Sequence, residues 1–448
     1  MKKIGEINRK IKKGKARVLT ANQFVKLTEE KGITYAYKNV DIVTTATFAP
    51  MCSSGAVLNF RQPEPPMRME KIYLDGVNAY GGLAAADCYI GATEVSNSQK
   101  TYGGAHVIEK LIKNEKISLE VKSKGTDCYP LKELSRHITQ DDVNDFFLFN
   151  PRNCYQNYAV ATNSSGKTLY TYMGKLLPLY GNATFSTSGQ MSPLLKDPEL
   201  LTIKPGTKVF LGGGTGFIAY RGTQFSSKSQ VNSYGIPIFP SRTLALIGNA
   251  KKMSSSFIKA AYLKNYGVTL FVGVGIPIPV LSEEIAFHAS LSNRQITTVI
   301  KDYGKEGKPV IGEIDYETLF KNKLTLSSKK IPASSMSGVK MASLICEILA
   351  DSIRNGSFSL SCYEDDFEYE TNGIQLVNES CIQNLSCVEC GLCIGYCNKG
   401  ALVQVDNSIC FYKDKCDSCM LCDDVCPFGL LPYEVFDKKR VYYGSKIL

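Results

Sequence analysis

Eight cysteines near the carboxyl end constrain this chain more than any other feature. Cys387, Cys390, Cys393 and Cys397 are followed, 29 residues later, by Cys416, Cys419, Cys422 and Cys426. Each half reads C-x2-C-x2-C-x3-C. Soft thiolates at such short spacing select iron–sulfur clusters or zinc. Zinc knuckles rarely use a duplicated eight-cysteine pattern, whereas this run is the one that wraps cubane clusters. The region is expected to hold two [4Fe–4S] clusters and to move electrons, two at a time.

The pattern resembles bacterial-type ferredoxins, in which the fourth cysteine of each run crosses over. That resemblance implies Cys387, Cys390, Cys393 and Cys426 around one cluster, and Cys416, Cys419, Cys422 and Cys397 around the other. Pro427 follows Cys426 as in ferredoxins, but Asn398 stands where the first run usually has proline. The change touches turn rigidity rather than ligand number. The duplication reaches further: Cys381 and Cys410 each lie six residues before their run, and Gly400-Ala401-Leu402 echoes Gly429-Leu430-Leu431. Those two extra cysteines read as packed thiols or as alternative ligands.

A chain of 448 residues exceeds one ordinary core and divides into two or three domains. The sequence places an α/β catalytic domain over 1–360, an acidic linker over 361–380 and an α+β ferredoxin-like di-cluster domain over 381–448. Glu364, Asp365, Asp366, Glu368 and Glu370 mark the linker. No apolar run reaches the roughly 18 to 20 residues that span a bilayer. The best candidate, 268–281, is broken by Gly273, Gly275, Pro277 and Pro279. The basic start, with Lys2, Lys3, Arg9, Lys10, Lys12, Lys13, Lys15 and Arg17 against Glu6, lacks the apolar segment of a signal peptide. It reads as a solvated, lysine-rich helix, with neither a nucleic acid nor a membrane as partner. Cluster cysteines must stay reduced to be loaded, so an anaerobe's cytoplasm is the expected compartment.

Along the chain, residues 20–32 predict a helix capped by Thr20 and stopped at Gly32. Residues 35–48 read as a strand that ends in the small-residue turn Ala49-Pro50-Met51-Cys52-Ser53-Ser54-Gly55. A helix is expected over 103–113, strands over 117–121, 207–211 and 268–274, and a closing helix over 337–355. Alternating strands and helices argue for an α/β architecture. Gly212 to Gly216 reads either as a backbone nest for an anion or as a tight turn needing positive φ. It matches neither common nucleotide fingerprint, and no nucleotide is expected.

Only three histidines are present, His106, His137 and His288, so imidazole chemistry has few actors. Cys346, within an apolar helix, and Cys88, after an alanine run, read as core. Cys52 and Cys128 differ, because both follow polar or small-residue turns at predicted strand ends. Such turns aim backbone N–H groups at sulfur and favour the reactive thiolate.

Several ordered segments carry a second resemblance. They are Thr44-Thr45-Ala46-Thr47-Phe48-Ala49-Pro50-Met51-Cys52-Ser53-Ser54-Gly55, Gly91-Ala92-Thr93-Glu94 and Gly125-Thr126-Asp127-Cys128-Tyr129-Pro130. Asn150-Pro151-Arg152-Asn153, Tyr155-Gln156-Asn157-Tyr158, Thr171-Tyr172-Met173-Gly174 and Phe210-Leu211-Gly212-Gly213-Gly214 continue the series. Over residues 5–350 the chain resembles the homocysteine-biosynthesis sulfur-incorporation proteins of methanogens and other anaerobes, the L-aspartate-semialdehyde sulfurtransferases. The resemblance implies conversion of aspartate semialdehyde to homocysteine, two functional cysteines at Cys52 and Cys128, and work with a ferredoxin-type protein, here fused.

The chemistry of that reaction agrees. Turning an aldehyde into a thiol with sulfide means adding sulfur, losing water and supplying two electrons and two protons. Two one-electron clusters match that need, fed by a low-potential electron donor. If the sulfur arrives as a persulfide, a second thiol can release it by forming a disulfide. Cys128 is assigned as persulfide carrier or nucleophile and Cys52 as its partner. Arg152 and Arg221 are candidate forks for the substrate carboxylate. Asp127 is placed to relay a proton or to hold its turn, and His106 to orient substrate or to serve structure. Family members often carry histidine near Gln62 and Phe225, and this chain does not. The rival readings are an electron-transfer subunit of a larger oxidoreductase and a paralogue acting on a different aldehyde.

Overall fold

The computed structural model describes residues 1–361, 392–405 and 408–425. The chain divides into two units, Met1–Phe367 and Glu368–Leu448. The acidic linker residues, Cys381, Cys387, Cys390 and Cys426 lie outside the described residues.

Local signals set the first elements. Thr20 and Gln23 close a capping box on the helix Ala21–Lys31, and Gly32 ends it at φ 81°. The strand expected over 35–48 begins later. Residues Ile33–Asn39 form a short helix, with Ala36 fully buried, and the strand runs Ile42–Pro50. Burial of the small Ala36 face outweighs the strand preference of the flanking tyrosines. The basic amino-terminal helix Ile4–Lys12 is amphipathic: Ile7 and Ile11 are buried, and Lys10 pairs with Asp41 at 2.6 Å.

The larger unit is built on a fourteen-stranded sheet and a second sheet of five strands. The Ile42–Pro50 strand pairs antiparallel with Gly267–Pro279 over nine residue pairs, from Ile42↔Pro279 to Pro50↔Phe271. Among the described residues parallel pairing is confined to three short contacts, such as Val18–Thr20 beside Ile42–Pro50. Helices and strands do mix, as expected of an α/β chain. Most neighbours are nonetheless antiparallel, so short turns replace the crossover helices that parallel strands need.

Leu211 pairs with Gly214, so Gly212 and Gly213 (φ 60° and 98°) form a two-residue hairpin loop. The glycine run serves a tight turn of the left-handed type. The helix Val339–Arg354 packs across Ile42–Pro50 and Gly267–Pro279. A Cβ at Gly273 or Gly275 would stand 2.9 Å from the Ile345 side chain, so both glycines admit the helix at close range. No described helix is long and apolar enough to cross a membrane.

In the smaller unit, strands Leu402–Val405 and Ser408–Phe411 form an antiparallel hairpin between short helices Leu392–Tyr396 and Leu421–Asp424. Ala401, Leu402, Ile409 and Phe411 make its core, with Cys393, Cys397 and Cys422 packed against it. Cys410 is buried.

One buried lysine stands apart from the site described below. Lys196 is fully buried and donates to the Ala289 carbonyl (2.9 Å) and to the Leu291 carbonyl, closing the end of the helix Glu283–Ser290. Burial lowers its ammonium to about 7 from an ordinary 10.5. Between those values the unfolded chain binds the extra proton, so this residue makes stability rise with pH by up to about 1.4 kcal/mol per pH unit. In urea denaturation, wild type should gain on Lys196→Met by more than about 1 kcal/mol between pH 7 and pH 9.5. A difference that does not change with pH would refute the neutral buried amine.

Candidate active site

The turn that carries Cys52 is pinned from three sides. The Met51 N–H donates to the Leu270 carbonyl at 2.7 Å, and Ser54 N–H returns to the Met51 carbonyl at 3.0 Å. Ser53 Oγ donates to the Arg152 carbonyl at 3.1 Å, and Asn150 Nδ2 donates to Ser54 Oγ at 3.0 Å. These bonds tie the turn between Ile42–Pro50 and Gly55–Phe60 to Val143–Asn153 and Gly267–Pro279.

Cys52 and Arg152 line one cavity of about 310 Å³, with Cys154, Tyr155, Tyr158, Tyr172, Gln224 and Tyr266 among its walls. The Cys52 sulfur is half-buried and lies 3.4 Å from Thr269 Oγ1. Tyr266 lines the same cavity, and burial together with the nearby Cys52 raises its phenol. Arg152 stacks over Tyr155, 5.9 Å from the ring centroid. Among the described residues no carboxylate pairs with Arg152, so its charge is available to an acidic ligand. Tyr155 donates to Gln224 Oε1 at 2.5 Å, and the hydroxyls of Tyr172 and Tyr303 are 2.8 Å apart. Burial and the neighbouring Tyr172 push the Tyr158 phenol up, so this wall stays neutral and donates protons or accepts hydrogen bonds.

The other sequence candidates do not line this cavity. Asp127 and Cys128 are exposed at the tip of a turn clasped by reciprocal backbone bonds between Thr126 and Tyr129 (2.9 and 3.1 Å). That turn joins the strands Ile117–Lys122 and Glu133–Ile138. Arg221 ends the strand Gly214–Arg221, its guanidinium 5.1 Å from the Phe225 ring. His106 accepts from the Gly103 N–H at 3.2 Å through Nδ1 and stacks on Tyr102, which is a capping role for the helix Gly104–Ile112. Gln62 accepts from the Met67 N–H at 3.0 Å. Gln62 and Phe225, the two places where the expected histidines are missing, lie outside the cavity lining.

Sequence reasoning missed Tyr266, Thr269 and Cys154. Arg152 and Cys154 are two residues apart, and strand periodicity does place alternate residues on one face. Nothing local signals Tyr266, which reaches Cys52 only through strand pairing. Cys154 is held at φ 50° with its N–H on Asn153 Oδ1 at 2.6 Å, and burial pushes its thiol up to about 12. Burial likewise raises Cys88 and Cys346 well above an ordinary thiol.

In the smaller unit, Cys397, Cys416, Cys419 and Cys422 line a common small cavity. Backbone N–H groups point at two of the sulfurs: Ala401 to Cys397 at 3.2 Å and Ser418 to Cys416 at 3.4 Å. Ser418 and Met420 adopt φ 60° and 64°, which winds the loop around that cavity. Among the described residues no three metal-ligating side chains converge on a single point. Cysteine thiols with backbone N–H groups aimed at sulfur are the donor chemistry that an iron–sulfur cluster takes.

Comparison with known proteins places the larger unit. The family model described as homocysteine biosynthesis enzyme, sulfur-incorporation, matches residues 16–360. The chain belongs to that enzyme family. Two relatives named L-aspartate semialdehyde sulfurtransferase, from Methanosarcina acetivorans and Methanocaldococcus jannaschii, are 46% and 45% identical. The matches cover 80% and 81% of this chain and 71% and 72% of those proteins. An uncharacterized protein of Methanothermobacter thermautotrophicus is 27% identical over 71% of each chain. No solved structure matches significantly. The family match ends before the duplicated cysteine runs.

Exposure and burial rank the thiols of this family member. Among the thiols of the larger unit, iodoacetamide under native conditions at pH 8 should label Cys128 first and Cys52 next, read by peptide mass mapping. Cys88, Cys154 and Cys346 should react only after denaturation. Prompt native labelling of Cys154 would show that the cavity wall is not closed around it.

Proposed function

We infer that this chain is a reductive sulfurtransferase that converts L-aspartate semialdehyde and a sulfide or persulfide sulfur to L-homocysteine. The observation that carries the reading is a sulfur nucleophile, Cys52, sharing a small cavity with Arg152, a fork that no described carboxylate occupies. That pairing suits a short substrate with a carbonyl at one end and an α-carboxylate at the other. The names of the two methanogen relatives support the same substrate.

Overall, one aldehyde, one hydrogen sulfide, two electrons and two protons become one thiol and one water. The carbonyl oxygen leaves as the water, and the former aldehyde carbon ends bonded to sulfur. Arg152 holds the carboxylate and so orients the aldehyde carbon toward the Cys52 sulfur. The tyrosine wall keeps the reacting carbonyl away from bulk water. Cys128, exposed on its turn, is the thiol that an external sulfur donor reaches, and it serves as the persulfide carrier. Its outer sulfur is two electrons above sulfide, so this route takes two further electrons from the low-potential donor. Asp127 beside it relays a proton or holds the turn. Two [4Fe–4S] clusters, when bound, supply the two electrons from a low-potential donor, one electron each. Cys416, Cys419, Cys422 and Cys397 would hold one, and Cys387, Cys390, Cys393 and Cys426 the other. The reducing cytoplasm of an anaerobe suits such a protein.

The deciding assay is anaerobic, with reconstituted protein, sulfide, aspartate semialdehyde and a low-potential reductant, and homocysteine read by mass. Cys52→Ala should lose at least about a thousandfold in rate, the order seen when a covalent nucleophile is removed. Arg152→Met should raise KM about 10- to 100-fold with a smaller change in kcat, the cost of one charge-assisted contact. Cys128→Ala should fail with a persulfide donor yet work with free sulfide. Reconstituted wild type should carry about eight irons and Cys416→Ser about four. Cluster-loaded wild type that yields no homocysteine would sink the reading, and the larger unit would then be tested on other aldehydes or as a docking part of an electron-transfer complex.

A further inference from the structure

Tyr266 has no assigned role, yet it lines the cavity that holds the Cys52 sulfur and Arg152. It lies in the turn between the strands Ile258–Leu263 and Gly267–Pro279. Its N–H bonds back to the Leu263 carbonyl at 2.9 Å, and Asn265 and Gly267 on either side take φ 58° and 146°. A turn of that shape fixes the direction in which the ring leaves the backbone. The ring lines the same cavity as Cys52 and Arg152, near enough to the Cys52 sulfur for that sulfur to raise its phenol. Thr269 Oγ1 approaches that sulfur as well, at 3.4 Å, from a fully buried site three residues further along. Of these two residues near the sulfur only Tyr266 is open to solvent, at 42% exposure.

We propose that Tyr266 is the catalytic acid of carbonyl addition at Cys52, with Thr269 as the residue that positions the sulfur. This rests on the reading that the aldehyde meets sulfur carried by Cys52. The step involves no electron transfer. A C–S bond forms between the Cys52-borne sulfur anion and the aldehyde carbon, and the C–O π bond breaks. The phenolic proton moves to the carbonyl oxygen, which leaves a hemithioacetal hydroxyl and a tyrosinate. Solvent then reprotonates the tyrosinate from the exposed side of the ring.

Two further features suit the role. Burial first, and then the neighbouring Cys52, push the phenol up to about 12, so it keeps its proton throughout the neutral range. A donor that weak matches the basicity of a newly formed alkoxide, the condition under which proton transfer assists addition best. Arg152 is close enough to oppose that rise, so its positive charge also stabilises the transient tyrosinate. The phenol therefore shares one cavity with the nucleophile and with the cation that holds the substrate.

The test uses the full-length, cluster-loaded protein with Tyr266→Phe and Thr269→Val. The first readout is the iodoacetamide labelling rate of Cys52 at pH 8, followed by mass. The second is kcat and KM for aldehyde-dependent homocysteine formation. Tyr266→Phe should slow Cys52 labelling about threefold or more, because the sulfur anion loses a donor, and lower kcat about a hundredfold with KM within twofold. Thr269→Val should slow labelling with less than a tenfold effect on kcat. Unchanged labelling in Tyr266→Phe overturns the proposal whether or not the aldehyde is turned over, and so does an unchanged kcat in a variant whose labelling has slowed. Failure of the substrate reading shows separately, as wild type that labels normally at Cys52 but makes no homocysteine.

Discussion

The register between Ile42–Pro50 and Gly267–Pro279 is the constraint on which the site depends. Nine consecutive pairs fix it, ending at Pro50↔Phe271. Cys52 lies two residues beyond that last pair on one strand, and Thr269 lies two residues before it on the other. Their side chains meet for that reason alone. A slip of one residue would turn every side chain of one strand to the opposite face and part the sulfur from its hydroxyl partners. The helix Val339–Arg354 guards the register, since Ile345 fills the notch left by Gly273 and Gly275. Cys346, adjacent on that helix, accepts from Thr44 Oγ1 through its carbonyl at 2.9 Å. A core helix and an active-site turn are thus stabilised by the same two strands.

What the sequence made legible is local. The capping box of Ala21–Lys31, the helix after the paired glycines at 103 and 104, and the turn holding Cys52 all follow from residues within about one turn of each other. A loop rich in Asn, Gln and Tyr is poor core material, which singles out Arg152, yet Arg152 lies in the strand Val143–Asn153, and Asn150, Asn153, Gln156 and Asn157 are fully buried. The sheet was not legible. Whether strands pair with neighbours or across crossovers depends on contacts far apart in the chain, and alternating element types gave no warning that most pairs are antiparallel. Tyr266 was invisible for the same reason, being more than two hundred residues from Cys52. His106 reads two ways in the sequence, as orienting substrate or as serving structure. A histidine behind two glycines resembles a site, yet here the imidazole finishes a helix amino terminus.

The thiols of the larger unit divide by solvent access more than by sequence context. Cys88, Cys154 and Cys346 are buried among apolar groups that disfavour the anion, while Cys52 is partly open and Cys128 is fully presented. A protein that handles reactive sulfur gains from such a division. The sulfurs meant to react are the ones solvent can reach, and the rest cannot be drawn into mispaired disulfides while the fold is intact.

Pro277 and Pro279 show how a missing donor can suit a buried strand. They alternate with Ile276 and Ile278, so both missing N–H groups fall on the same side of the strand. At those registers the Ile42–Pro50 strand pairs on one side, and among the described residues no strand pairs on the other. The stretch is nonetheless buried, and a peptide N–H buried without an acceptor is costly. The prolines that interrupt this chain's most apolar segment therefore spare it two donors where the sheet offers no strand to accept them.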